Sequence, residues 1–194
     1  MSKTLLFVGL GNPEGKYFQT YHNLGFLAAD ALAGEFGVEF KKKGNQMLAV
    51  LPRAGSGVFQ KVFILKPLTY MNLSGQAVVA LCRKQKIEPE NVIVFLDEIH
   101  IDKGKLRITM GGSGGGHNGL RSITELLGTN KYARIRIGIK PEKPPHSTSK
   151  YVLSKIEERE LFANTIQKAM EAAKMLIAGK ALHDVQQEFN CKND

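Results

Sequence analysis

The chain has 194 residues, 43% of them hydrophobic, which is enough for a sizeable core and points to one domain, 1–194. Its formal net charge of +9, from 27 Lys and Arg against 18 Asp and Glu, suggests an anionic partner: nucleic acid first, with a merely solvated lysine-rich surface as the alternative. Cys82 and Cys191 make neither a disulfide framework nor a metal-ligand spacing, no stretch approaches the ~20 apolar residues of a membrane span, and the apolar start is too short for a secretion signal, so a reducing, cytoplasmic setting without membrane contact is expected.

In chain order, TLLFVGL (4–10) is short, aliphatic and bounded by turn residues, the pattern of a buried strand. It runs into Gly9-Leu10-Gly11-Asn12-Pro13-Glu14-Gly15, which superficially matches a dinucleotide-binding turn. The match fails: the third glycine comes one place late, Pro13 removes a backbone N–H, and Glu14 would repel a pyrophosphate. His22 follows at the start of a helical stretch over 24–36. MLAVLP (47–52) and KVFILKP (61–67) read as strands and 74–86 as a helix. NVIVFLD (91–97) is another buried strand, ending at Asp97, and KLRITM (105–110) a shorter one. A helix over 120–127 precedes ARIRIGIK (133–140), whose alternation puts Arg134 and Arg136 on one face of a strand. PEKPPHSTS (141–149) is a polar, proline-rich surface loop. A capping box, Ser154-Lys155-Ile156-Glu157, opens the last long helix; Ile166, Met170, Ala173 and Ile177 share a face of it and Gly179 is its stop. Strands alternating with helices indicate an α/β fold: a single domain with a mixed, twisted β-sheet and helices packed on both faces.

Sites in such folds gather beyond the C-terminal ends of the strands. Asn12, Asn72, Asp97 and the pair His117-Asn118 all fall there, and His22 comes from the first loop. Singly, each has an ordinary structural reading: Asn72 or Ser74 as a helix cap, His22 as a structural histidine, the glycine run 111–116 as a flexible loop. Together they are two histidines, one carboxylate and three carboxamides. A histidine can take a proton from water near neutral pH, a carboxylate on its other ring nitrogen fixes the tautomer, and carboxamides can stabilise an oxyanion or read a substrate amide. That set suits hydrolysis of an acyl bond by activated water, and an ester is the easier target. Neither a metal-binding motif nor a nucleophilic serine elbow is present in the sequence.

The segments VGLGNPEGKYFQTYHNLGF, KPLTYMNLSG, FLDE, GGSGGGHNGL and RIRIGI, in this order and spacing, resemble the bacterial-type peptidyl-tRNA hydrolases over nearly the whole chain. The resemblance implies a monomeric, cofactor-free α/β enzyme that cleaves the ester between peptide and tRNA in peptidyl-tRNAs released prematurely from ribosomes. It implies His22 as general base, Asp97 as its orienting partner, and Asn12 as the group that holds the peptide beside the ester. Asn72 and Asn118 would position substrate, Tyr17, Tyr70 and Met71 would line the cleft, His117 would support the loop, and Arg136 would help hold a tRNA phosphate. Two positions depart from the family pattern. Thr109 stands where a lysine usually partners that arginine, leaving Lys105 or Arg107 as replacements, and His100 stands where an acidic residue is usual. A non-catalytic RNA-binding module of the same fold is the competing reading.

Overall fold

The structure, a computed structural model, describes residues 3–52 and 59–190; Cys191 lies outside them. The elements are β1 (Lys3–Gly9), α1 (Leu24–Glu35), β2 (Lys41–Lys42), β3 (Gln46–Pro52), β4 (Phe59–Pro67), α2 (Ser74–Gln85), β5 (Val92–Asp102), β6 (Leu106–Met110), α3 (Asn118–Leu127), β7 (Ala133–Lys140), α4 (Thr148–Val152), α5 (Arg159–Ile177) and α6 (Leu182–Asn190). The strands form one mixed seven-stranded sheet in the order β2-β3-β4-β1-β5-β7-β6. Its central strands β4, β1, β5 and β7 run parallel, and β3 and β6 flank them antiparallel. The expected α/β architecture is the one observed.

Strand alternation explains the two layers. Phe7, Ile93, Phe95, Ile135 and Ile137 point to the face covered by α1 and α5, with Leu24, Ala28, Leu32, Ala169 and Ala173 packed on them. Leu6, Val8, Val94 and Leu96 point the other way, against Val78 and Leu81 of α2 and Leu120 and Ile123 of α3. Because β4 and β5 lie on opposite sides of β1, the chain reverses direction of growth there, and the crevice beyond the strand ends opens at that point.

Two glycines let α1 come down directly onto this crevice. A Cβ on Gly25 would lie 2.4 Å from the Leu10 amide nitrogen and from the Phe95 carbonyl oxygen, and one on Gly9 would lie 2.3 Å from the Gly25 carbonyl oxygen. Gly34, farther along α1, has open space around its Cβ position. We therefore expect Gly25→Ala to cost about 2–3 kcal/mol or more, because only backbone could give way. Gly34→Ala should instead stabilise by about 0.5–1 kcal/mol through helix propensity. Urea unfolding of the two variants checks both signs.

The structure corrects three local expectations and adds one element beyond the expected stop at Gly179. The strand predicted to end at Asp97 continues as β5 to Asp102, with a register irregularity against β7 between Glu98 and Asp102. Ser154-Lys155-Ile156-Glu157 does not cap a helix: Ile156 N donates to Gln19 O and Tyr21 N to Ser154 O, so the segment pairs with the loop carrying His22 and α5 begins only at Arg159. The polar segment 141–149 is not loop throughout, since Ser147 caps the short helix α4. Beyond Gly179 the chain forms α6, where Asn190 both accepts from Ile108 N and donates to Ile108 O. A carboxamide there occupies the place of a neighbouring strand and covers the exposed edge of β6.

Candidate active site

After β1 the chain turns through Gly11 and Asn12 and returns as a single 3₁₀ turn, Tyr21–Asn23, that leads into α1. Asn12 and Asn23 interlock: Asn12 N donates to Asn23 Oδ1 at 2.8 Å, and Asn23 Nδ2 donates to Asn12 O at 3.0 Å. Met71 N, from the turn after β4, donates to Asn12 Oδ1 at 3.2 Å. With its oxygen engaged, the Asn12 side chain keeps its NH2 group for a ligand. Asn23 was not singled out in the sequence; its place directly after His22 is the only signal it carries there.

Asp97 lies under this turn, 4% exposed, and its Oδ1 meets two imidazoles. His22 Nδ1 is 2.9 Å away and His117 Nε2 is 3.2 Å away, and the two rings sit 4.7 Å apart. The hydrogen positions follow from the partners. Gly119 N donates to His117 Nδ1 at 3.1 Å, which caps α3 and leaves the proton of neutral His117 on Nε2, facing Asp97. A carboxylate can only accept, so His22 also turns an N–H to it through Nδ1, which leaves its Nε2 lone pair free.

Burial opposes charge on His22, but the Asp97 carboxylate and its hydrogen bond outweigh this and hold the His22 pKa above its ordinary 6.5. Burial likewise opposes charge on Asp97, yet electrostatic attraction to His22 and His117 and their hydrogen bonds keep its pKa far below the ordinary 3.8. The three residues offer donor atoms within 4.8 Å of one another, close enough for a metal ion. In this arrangement both nitrogens facing Asp97 carry hydrogens, so the cluster has the form of a carboxylate shared by two histidines.

A cavity of about 390 Å3 opens over this cluster, lined by Asn12, His22, Met71, Asp97, His117 and Asn118, with α4 supplying Thr148 and Ser149 on the far wall. Asn118, exposed at the start of α3, accepts from Arg121 Nη2 through Oδ1 at 2.9 Å, so it too has an NH2 group to offer. The other expected residues stand outside. Asn72 is exposed beside Met71 and does not line the cavity. Tyr70 is 62% exposed, and Tyr17 lies under the Lys16 ammonium at 4.9 Å; neither lines the cavity, contrary to the sequence expectation.

Arg136 also differs from expectation. It is 9% exposed, its Nη1 bonded to Glu98 and its Nη2 to the Ser113 carbonyl at 3.0 Å. The alternation correctly placed Arg134 and Arg136 together, but that face lies beneath the glycine run. The accessible cation alongside is Arg107, exposed on β6 and lining a groove of about 410 Å3 with Thr109, His100 and Arg136. Lys105 lies 3.7 Å from the Asp102 carboxylate instead.

Residues 6–194 match the family described as peptidyl-tRNA hydrolase. The chain is 41% identical to the peptidyl-tRNA hydrolase of Gloeobacter violaceus, covering 97% of this chain and 94% of that one. It is 42% identical to the enzyme of Desulforamulus reducens, covering 97% and 89% respectively. The crystal structure of peptidyl-tRNA hydrolase from Acinetobacter baumannii superposes with a TM-score of 0.87 at 34% identity, over 98% of this chain and 96% of the other. On the family match, the curated relatives and the shared fold together, the chain belongs to the peptidyl-tRNA hydrolase family.

Proposed function

We infer that this protein hydrolyses the ester between the peptide and the terminal ribose of peptidyl-tRNA, freeing tRNA from chains released prematurely by ribosomes. The observation that carries the mechanism is the His22 Nδ1 to Asp97 Oδ1 bond, at 2.9 Å, in a cavity lined also by the carboxamide residues Asn12 and Asn118. His22 Nε2 takes a proton from a water molecule as that water attacks the ester carbonyl. Asp97 stabilises the imidazolium that forms, and the proton then passes to the departing ribose oxygen. The NH2 groups of Asn12 and Asn118 face the cavity as donors for the developing oxyanion or for a peptide carbonyl. No helix among the described residues is long and apolar enough to cross a membrane, and the substrate and the basic surface fit a monomer working in the cytoplasm.

Selectivity follows from the NH2 group of Asn12, whose oxygen already accepts from Met71 N. That donor is satisfied by the carbonyl of a blocked or peptidyl amine. A free α-ammonium brings further donors and a charge and leaves the site's N–H unpaired. A phosphate of the acceptor stem lying in the groove beside the cavity would meet Arg107 first, a guanidinium suited to bidentate contact.

Incubation with N-acetyl-aminoacyl-tRNA and with unblocked aminoacyl-tRNA tests this directly. The blocked substrate should be cleaved roughly 10²–10⁴ times faster. Equal rates would remove Asn12 from its selective role. Retardation of tRNA on a gel with no cleavage of either substrate would identify a binding module.

A further inference from the structure

Arg134 is the largest fully buried side chain among the described residues, at 0% exposure. Its guanidinium carbon sits 4.8 Å from the centre of the Tyr132 ring, and its Nη1 donates to the Ser113 carbonyl at 2.6 Å. Its Nε and Nη2 have no hydrogen-bond partner among the described residues, and the neighbouring carboxylate, Glu98, is bonded to Arg136. A buried cation without a carboxylate of its own is costly, and an apolar side chain of similar volume would serve stability better.

What the position does supply is a hold on the glycine run. The Ser113 carbonyl receives Arg136 Nη2 as well, so two guanidinium groups grip one peptide unit. Around it Gly111, Gly112, Gly115 and Gly116 all have positive φ, a path with little stiffness of its own. Four residues past Ser113 comes His117, which bonds to Asp97 and caps α3. The anchor at Ser113 and the helix start at Asn118 together define the short span between them.

We propose that Arg134 is a positioning residue: buried away from substrate, it holds the Ser113 carbonyl and so sets the glycine run at the height at which His117 reaches Asp97. The proposal rests on the hydrolytic reading above. Arg134→Met and the wild-type enzyme are compared on N-acetyl-aminoacyl-tRNA under single-turnover conditions, with tRNA affinity and melting temperature measured alongside. The expected result is an unchanged or higher melting temperature, tRNA affinity within twofold, and hydrolysis slower by about 10–100-fold. In a His117→Ala background the same substitution should add less than twofold, since the contact it supports is already gone.

A single-variant rate within twofold of wild type, or a full multiplicative loss in the double variant, overturns the proposal. Arg134→Gln, too short to reach Ser113, gives the same comparison if the methionine variant does not fold. Failure of both to fold also overturns it, because the residue would then serve stability rather than geometry. A wild-type protein inert on the blocked substrate would instead overturn the hydrolytic reading, which keeps the two failures apart.

Discussion

His22→Ala is expected to lower kcat/KM for N-acetyl-aminoacyl-tRNA by about 10²–10⁴-fold, the usual worth of a positioned general base, while leaving affinity for uncharged tRNA within twofold. The separation follows from where the residues lie. The His22 side chain is only 12% exposed, on the cavity floor, with one ring nitrogen committed to Asp97. An exposed cation available to RNA, Arg107, is on β6 in the neighbouring groove. Removing the imidazole also strips Asp97 of one of its two partners, which should cost about 1–3 kcal/mol of stability at neutral pH. His22→Asn is the control, because its carboxamide can still donate to Asp97 but cannot act as a base. It should be as slow as the alanine variant and more stable. Turnover within tenfold of wild type in either variant would mean that another group activates the water.

The strands were legible because their interiors are continuous aliphatic runs, and the sheet's C-terminal edge was legible because polar residues interrupt those runs. That same signal misplaced the end of β5. Asp97 and Glu98 stop the apolar pattern without stopping the strand, since both carboxylates are buried against partners far away in sequence: His22 and His117 for one, Arg136 for the other. Ser154 and Glu157 have the spacing of a capping box, but the backbone there bonds to Gln19 and Tyr21, a tertiary pairing that local spacing does not encode. α6 was missed because Gly179 reads as an end, while the helix beyond it is held by Asn190 and Gln186 on the edge of β6. At the site, Asp97, Asn12, His117 and Asn118 meet with His22 as the strand-end placement implied, and Met71 joins them as the family resemblance implied. Asn72, Tyr17 and Tyr70 flank the cavity in sequence only. Alternation could pair Arg134 with Arg136 but carried no sign that the glycine run covers them. The grip on Ser113 is a main-chain contact, invisible in residue identities.

Asp97→Asn separates the charge of this centre from its shape, and its effects should appear in both rate and pH dependence. The asparagine oxygen can still accept from the two rings, but it cannot stabilise an imidazolium, so kcat/KM should fall by about 10²–10⁴-fold. In the wild-type enzyme the carboxylate holds the His22 pKa above 6.5, and the base works only when neutral, so kcat/KM should rise with pH through an inflection above 6.5. Without the carboxylate's charge, burial dominates at His22, and burial disfavours the charged ring. The inflection should then move below 6.5. Stability carries the same signature. The lowered pKa of Asp97 stabilises the fold above about pH 3.8 and is lost as the carboxylate is protonated. The raised pKa of His22 stabilises it below 6.5 and is lost as the imidazole is deprotonated above that value. The pair therefore contributes most between roughly pH 4 and 6.5, and urea titrations of the asparagine variant should lose that maximum. A variant whose rate falls while its inflection stays in place would show that Asp97 orients His22 without setting its charge.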